Sequence, residues 1–245
     1  MQDWIRSFFP PHDIFIDCMG GGGSIILNKL PVFTNVYNDL GSISKVFKDI
    51  QNGRLIDEIK SIEYTQDNFD RAINQVIYQI DSGFSPALAI LIKYRMSRAG
   101  IGKHFSWSSR KRGNLPGDAN AWNNFKEQLP EIHHRLQCIT IRNNDYKVLL
   151  NEYNSPECLI YLDPPYLHSE RTTTNVYELE WSAINHCDMC DLVNQSKSKI
   201  IISGYDNDIY AQSLRNWNKV EKSIVNHASQ SKQKQKKTEC LWVNY

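Results

Sequence analysis

The chain has 245 residues, of which 41% are hydrophobic and 22% charged, with a formal net charge of +1. That is too much apolar material for a disordered chain, and the length suits one large α/β domain or a core domain with a helical insertion. No run approaches the roughly 18 apolar residues of a membrane span, and the first residues lack a basic-then-apolar leader, so the composition reads as a soluble, cytoplasmic protein.

In chain order, "DWIRSFF" has the spacing of a short apolar helix, and Pro10 and Pro11 break it. Ile14 to Ile16 reads as a brief buried strand that Asp17 ends. "CMGGGGSIILNKL" is a glycine cluster running into helical spacing, "VFTNVY" a second strand ending at Asn38 and Asp39, and "LGSISKVFKDI" a second helix. Together they predict a βαβα unit of a parallel sheet. Residues 53–135 change to helix-like, polar, aromatic-bearing sequence, with a Gly-, Ser- and base-rich loop near 97–118 and no sustained strand alternation. Beyond it, "CITI" (138–141), "CLIYL" (158–162) and "KIIIS" (199–203) are short apolar, strand-forming runs separated by helical stretches. "VEKSIVNH" and "TECLWVN" then alternate apolar and polar residues across a lysine-rich link, which predicts a terminal antiparallel hairpin. The count of strand candidates is seven.

Six cysteines sit mostly inside apolar runs, as buried free thiols do. His186, Cys187 and Cys190 invite a zinc or redox reading, but no second ligand pair stands out. The segment "INHCDMCDLVNQ" is expected to pack Ile184, Cys187, Cys190 and Val193 as one core stripe, and no metal is predicted.

In an open parallel sheet, ligands bind where strands end. Asp17, Asp39 and Asp163 stand at such ends, and Asp145 closely follows another. Any one of them could be an ordinary cap or turn former; four on one edge are harder to dismiss. The run Gly20 to Gly23 lets backbone approach a small molecule closely, yet it is neither a P-loop, since no Lys-Ser/Thr pair follows, nor the G-x-G-x-x-G spacing. A nucleoside cofactor fits instead, with Asp39 placed to accept from ribose hydroxyls. In "CLIYLDPPYLHSE" a strand ends in an acid followed by two prolines and an aromatic. An exocyclic aromatic amine is a poor nucleophile until acceptors pull on its N–H bonds. The Asp163 carboxylate and the Pro164 carbonyl form such a pair, Pro165 stiffens the turn, and Tyr166 offers a stacking face.

"IFIDCMGGGGSI", "VYNDL", "YLDPPYL", "IIISGYD" and "TECLWVN", in that order, resemble the Dam-like adenine-specific DNA methyltransferases in which the glycine motif precedes Asp-Pro-Pro-Tyr. The resemblance implies a Rossmann-like class I methyltransferase fold of α/β type, with a seven-stranded, mostly parallel sheet and a terminal hairpin. It implies a catalytic domain of residues 1–52 and 136–245 and a helical target-recognition subdomain at 53–135. It also implies transfer of a methyl group from S-adenosyl-L-methionine to adenine N6 in double-stranded DNA, with base flipping, by a monomer or weak dimer of prokaryotic or mobile-element setting, as in restriction-modification. By this likeness Asp163, Pro164, Pro165 and Tyr166 are catalytic, and Asp17, Met19, Gly20, Gly21, Gly22, Gly23, Asn38, Asp39, Asp145 and Tyr146 line the cofactor site.

Two departures stand out. Relatives carry Glu-Pro-Phe where this chain has Asp17-Cys18-Met19, and they begin with an aromatic-Gly-Gly-Lys segment that would precede Met1. The second keeps open an inert DNA-binding relative. An RNA or protein-amide methyltransferase ranks lower, because Asp begins the motif and about 140 residues separate it from the glycines. Between Lys93 and Arg112 the chain carries seven Lys and Arg, no acid, and Tyr94, Phe105 and Trp107. Arg98, Lys103, Arg110, Lys111 and Arg112 are the expected DNA contacts, a solvated loop being the bland alternative. Lys232, Lys234, Lys236 and Lys237 read equally as phosphate contacts or a solubilising turn.

Overall fold

The computed structural model describes residues 1–112, 115–167, 179–225 and 236–245. It divides into two compact units, one of Met1–Gly41 with Arg142–Tyr245 and the other Ser42–Ile141. Lys232 and Lys234 lie outside the described residues, and Lys236 and Lys237 open a strand with their side chains undescribed.

The first unit holds helix α1 (Gln2–Arg6), strand β1 (Ile14–Asp17), helix α2 (Ser24–Asn28) and strand β2 (Thr34–Asn38). The second runs through α3 (Ile43–Gln51), α4 (Arg54–Glu58), α5 (Gln66–Tyr78), α6 (Pro86–Arg95), the two-residue strands β3 (Lys111–Arg112) and β4 (Leu115–Pro116), and α7 (Gly117–Leu136). After β5 (Thr140–Arg142) at the boundary, the first unit resumes with α8 (Tyr146–Glu152), β6 (Cys158–Leu162), α9 (Ala183–Asn194), β7 (Lys199–Gly204), α10 (Asp208–Ser213), β8 (Asn218–Val225) and β9 (Lys236–Val243).

The seven-stranded sheet has the order β5-β2-β1-β6-β7-β9-β8. β1 pairs parallel with β2 and β6, and β6 with β7, whereas β9 runs antiparallel to β7 and β8. This is the expected mostly parallel Rossmann-like sheet with its terminal hairpin. Parallel strands are covered on both faces, which is why β6 is buried at all five positions and reads as an unbroken apolar run. The strand order reverses between β1 and β6, so a crevice opens beyond their carboxyl ends. The register sets Asp17 beside Tyr37 on one side and Tyr161 on the other.

One core cluster of this unit joins Ile16, Val36, Ile160, Ile202 and Trp242 of the sheet to Leu149 of α8, Met189 of α9 and Tyr210 of α10. Here α9 corrects the sequence reading. Its inward face carries His186, Met189, Cys190 and Val193, while Ile184 is 71% exposed and Cys187 is exposed. His186 enters the core because Tyr210 Oη lies 2.8 Å from its Nδ1, giving a ring counted as polar a buried partner.

In the second unit α6 is the central helix. Ala87 to Ile92 are all buried, Pro86 occupies the first turn, and the Ser85 hydroxyl accepts from the Leu88 amide at 3.3 Å. Trp122 of α7 is buried and donates to the Ile62 carbonyl at 2.9 Å. The β3–β4 ribbon departs from the sequence reading, which finds no alternation there. Two residues a side are too few to leave a periodic signal.

Candidate active site

The glycine loop is folded by its neighbours on β2. Gly20 N–H donates to the Asn38 carbonyl at 2.9 Å, and a Cβ at Gly20 would come within 2.7 Å of Tyr37 Cδ2, so only glycine fits there. Tyr37 Oη donates to the Gly21 carbonyl at 2.6 Å. Gly21 and Gly23 have φ of 47° and 67°, the left-handed region that side chains disfavour, and Gly23 leads into α2. A Cβ at Gly21 or Gly22 would meet nothing within 4 Å, so the outer face of the loop is open.

Acids surround that loop in three different states. Asp39 accepts from Gly21 N at 3.0 Å with one oxygen and from Gly41 N at 2.8 Å with the other. Asp17 is buried; its Oδ2 accepts from Ile26 N at 3.3 Å, and its Oδ1 has no hydrogen-bond partner. Burial, with Asp163 and Asp39 adding repulsion, raises its pKa to about 7 against the pull of the Ile26 amide. Asp145 is exposed and caps α8 through Lys147 N at 2.9 Å. Asn38 ties these turns together: its amide donates to Cys18 O and Asn144 O, and its oxygen accepts from Asn144 N at 2.9 Å. Asn143 adds a 2.7 Å bond to the Asp39 carbonyl. Tyr146 is buried against Trp181, ring centroids 5.1 Å apart, with its phenol oxygen lacking a hydrogen-bond partner and its pKa raised by burial. Met19 packs on the core edge.

Asp163 follows β6 directly, then Pro164, which is buried, and Pro165 and Tyr166, which are half-buried. A cavity of about 510 Å³ opens there, lined by Asp163 and Tyr166, by Ser24 and Ile25 of α2 behind the glycine loop, and by Lys222 of β8 and Glu239 of β9. The corner is therefore neither plugged by core side chains nor turned away from the glycines. Asp163 Oδ1 accepts from Ser203 Oγ at 2.9 Å, and Ser203 Oγ lies 2.9 Å from Tyr161 Oη. Tyr166 Oη donates to Glu239 Oε1 at 2.7 Å, and its ring lies 4.6 Å from that of Tyr205. Asp163 keeps exposed surface and lines the cavity. Burial raises its pKa to about 6, partly offset by the hydrogen bond from Ser203.

Ser203, Tyr161, Tyr205 and Glu239 were not singled out in the sequence, although they stand inside "IIISGYD", "YLDPPYL" and "TECLWVN". A hydroxyl and an acid inside otherwise apolar strands are the signal that could have found them, since buried polar groups require partners. The basic stretch belongs to the second unit. Arg98, Lys103, Arg110 and Lys111 are exposed there, and Arg112 lies in β3 with its side chain undescribed. Trp107, 63% exposed, stacks on Phe105 at 6.3 Å, and Phe105 packs on Tyr64 and Phe69. Backbone bonds from Ser106 N to Met96 O and from Arg98 N to His104 O, both 2.8 Å, brace the loop. Among the described residues no group of His, Cys, Asp and Glu could hold a metal ion, and no helix is long and apolar enough to cross a membrane.

A search of curated proteins returned no match. The family model for D12 class N6 adenine-specific DNA methyltransferase, by contrast, matches residues 1–238, a span that takes in the glycine loop, the Asp-Pro-Pro-Tyr corner, the basic stretch and the start of the terminal strand. A match of that breadth makes DNA the substrate, and the chain belongs to the D12 class N6 adenine-specific DNA methyltransferases.

Proposed function

We propose that the chain methylates adenine N6 in duplex DNA using S-adenosylmethionine, and that the base leaves the helix to reach Asp163. The observation that carries this reading is the shared cavity: Asp163 and Tyr166 face the same space as the first residues of the helix behind the glycine loop. The loop fits such a cofactor, because its outer face is open at Gly21 and Gly22 while Asp17 keeps a buried oxygen without a hydrogen-bond partner. Asp17, Met19 and Gly20 to Gly23 would hold the amino-acid part, Asp39 the ribose, and Asp145 with Tyr146 the adenine, Asn38 fixing the turns that carry them. Bound S-adenosylmethionine supplies an electrophilic sulfonium methyl group.

The protein's own part is to orient and polarise the acceptor. Asp163 and the Pro164 carbonyl take the two N–H bonds of the amine and draw its lone pair out of conjugation, while Pro165 limits the turn's freedom and Tyr166 stacks on the ring. Base extrusion costs a few kcal/mol, and phosphate contacts by Arg98, Lys103, Arg110, Lys111 and Arg112 would offset it. The domain division at residues 53–135 belongs to the same proposal, as the part that selects the DNA site. The test is incubation with tritiated S-adenosylmethionine and unmethylated duplex. Label recovered in N6-methyladenine, and absent with Asp163→Ala, is expected; DNA binding without any incorporation overturns the reading.

A further inference from the structure

The corner contains a hydrogen-bond chain whose direction proton counting fixes. Ser203 is fully buried, and its single hydroxyl hydrogen has two acceptors in reach, Asp163 Oδ1 at 2.9 Å and the Leu162 carbonyl at 3.4 Å. An ionised carboxylate is the nearer and stronger acceptor, so the hydrogen points to Asp163. Ser203 Oγ must then accept from Tyr161 Oη, 2.9 Å away, and Tyr161 stays protonated because burial pushes its pKa well above 10. The chain therefore runs Tyr161 to Ser203 to Asp163 along the wall of the cavity that all three line, and it ends on the acid.

We propose that Ser203, itself aligned by Tyr161, is a positioning residue for methyl transfer: its hydroxyl holds the Asp163 carboxylate ionised and in one rotation toward the amine. This rests on the reading of Asp163 given above. A structural role would be satisfied by the Tyr161–Ser203 pair alone; here the pair ends on an acid, in the wall of the same cavity. Without the Ser203 donor the carboxyl binds its proton more tightly, because every other charged or titratable neighbour remains. Those neighbours are Asp17 on β1, Glu239 on β9, Lys222 of β8 across the cavity, and the phenols of Tyr161, Tyr166, Tyr205 and Tyr210, which burial keeps neutral.

The experiment is single-turnover methylation of duplex DNA by the full chain between about pH 5.5 and 8.5, for wild type, Ser203→Ala, Tyr161→Phe and Asp163→Ala. Ser203→Ala should lower the rate constant about 10- to 100-fold near pH 6.5, as expected for a lost hydrogen bond to a charged group, with DNA affinity and the KM for S-adenosylmethionine within about twofold of wild type. Its acid limb should move to higher pH, so that activity partly recovers near pH 8. Tyr161→Phe should act in the same direction by about threefold, and it carries the test if Ser203→Ala does not fold. An unmoved acid limb, or a loss confined to KM, overturns the proposal while an inactive Asp163→Ala leaves the reading of the corner standing. An active Asp163→Ala overturns both.

Discussion

Asp39 and Asp163 both stand just past the carboxyl ends of strands of one sheet, and the structure treats them differently. Both Asp39 oxygens are bound by backbone amides, one from Gly21 of the glycine loop and one from Gly41 of its own turn. Asp163 is held by a side chain, the Ser203 hydroxyl, and lines a cavity. Backbone donors fix an acid as part of the scaffold, whereas side-chain donors fix its orientation and leave acceptor capacity for a ligand. Identity and strand position alone would have assigned the two acids one role.

The sharpest way to break the comparison is to remove each acid in turn. Asp163→Ala should lower the methylation rate by about 1,000-fold or more with DNA binding retained, since its interaction would strengthen only as the amine is activated. Asp39→Ala should instead appear in cofactor affinity and thermal stability, read by titration calorimetry and melting. Next in size, reversing Arg110, Lys111 and Arg112 to Glu should weaken duplex binding by about 100-fold at low salt and flatten the logarithmic salt dependence by about 0.9 for each phosphate no longer neutralised. An unchanged slope would clear the loop of that role. Gly20→Ala should cost about 1–3 kcal/mol, because the new methyl meets the Tyr37 ring that also holds Gly21.

A further effect concerns Asp17 and depends on pH. Its folded pKa of about 7 lies above the ordinary carboxyl value, so the folded state holds this proton more tightly than the unfolded chain. The cost of ionising it is absent below about pH 4, grows as pH rises through the folded pKa, and is constant above that. Asp17→Asn keeps an acceptor for the Ile26 amide and should therefore raise stability at pH 8 but not at pH 4, by at most about 4 kcal/mol for a displacement of this size, read as a higher melting temperature at pH 8 only. Equal gains at both pH values would refute the assignment.

All seven strands of the main sheet were legible because buried, strand-forming runs such as Cys158–Leu162 have few alternatives once their length and flanking turns are known. The acids at strand ends were legible for the same reason. What holds Asp163 and Tyr166 was not, since Ser203 lies 40 positions from Asp163 and Glu239 73 positions from Tyr166, and they meet only through the order β6-β7-β9. The face of α9 was misread because His186 counts as polar until its bond to Tyr210 is known. The β3–β4 ribbon arises from turn geometry that a two-residue strand cannot announce.

The position of β9 has a consequence for synthesis. It sits between β7 and β8, and β8 pairs with no other described strand, so β8 has no edge to join until Lys236–Val243 has been made. A ribosome-bound chain halted before Lys236 carries Asp163, Ser203 and Tyr166 but not Glu239, the partner of the Tyr166 hydroxyl. Synthesis of β9, rather than folding of the first strands, is thus the moment at which this corner is assembled.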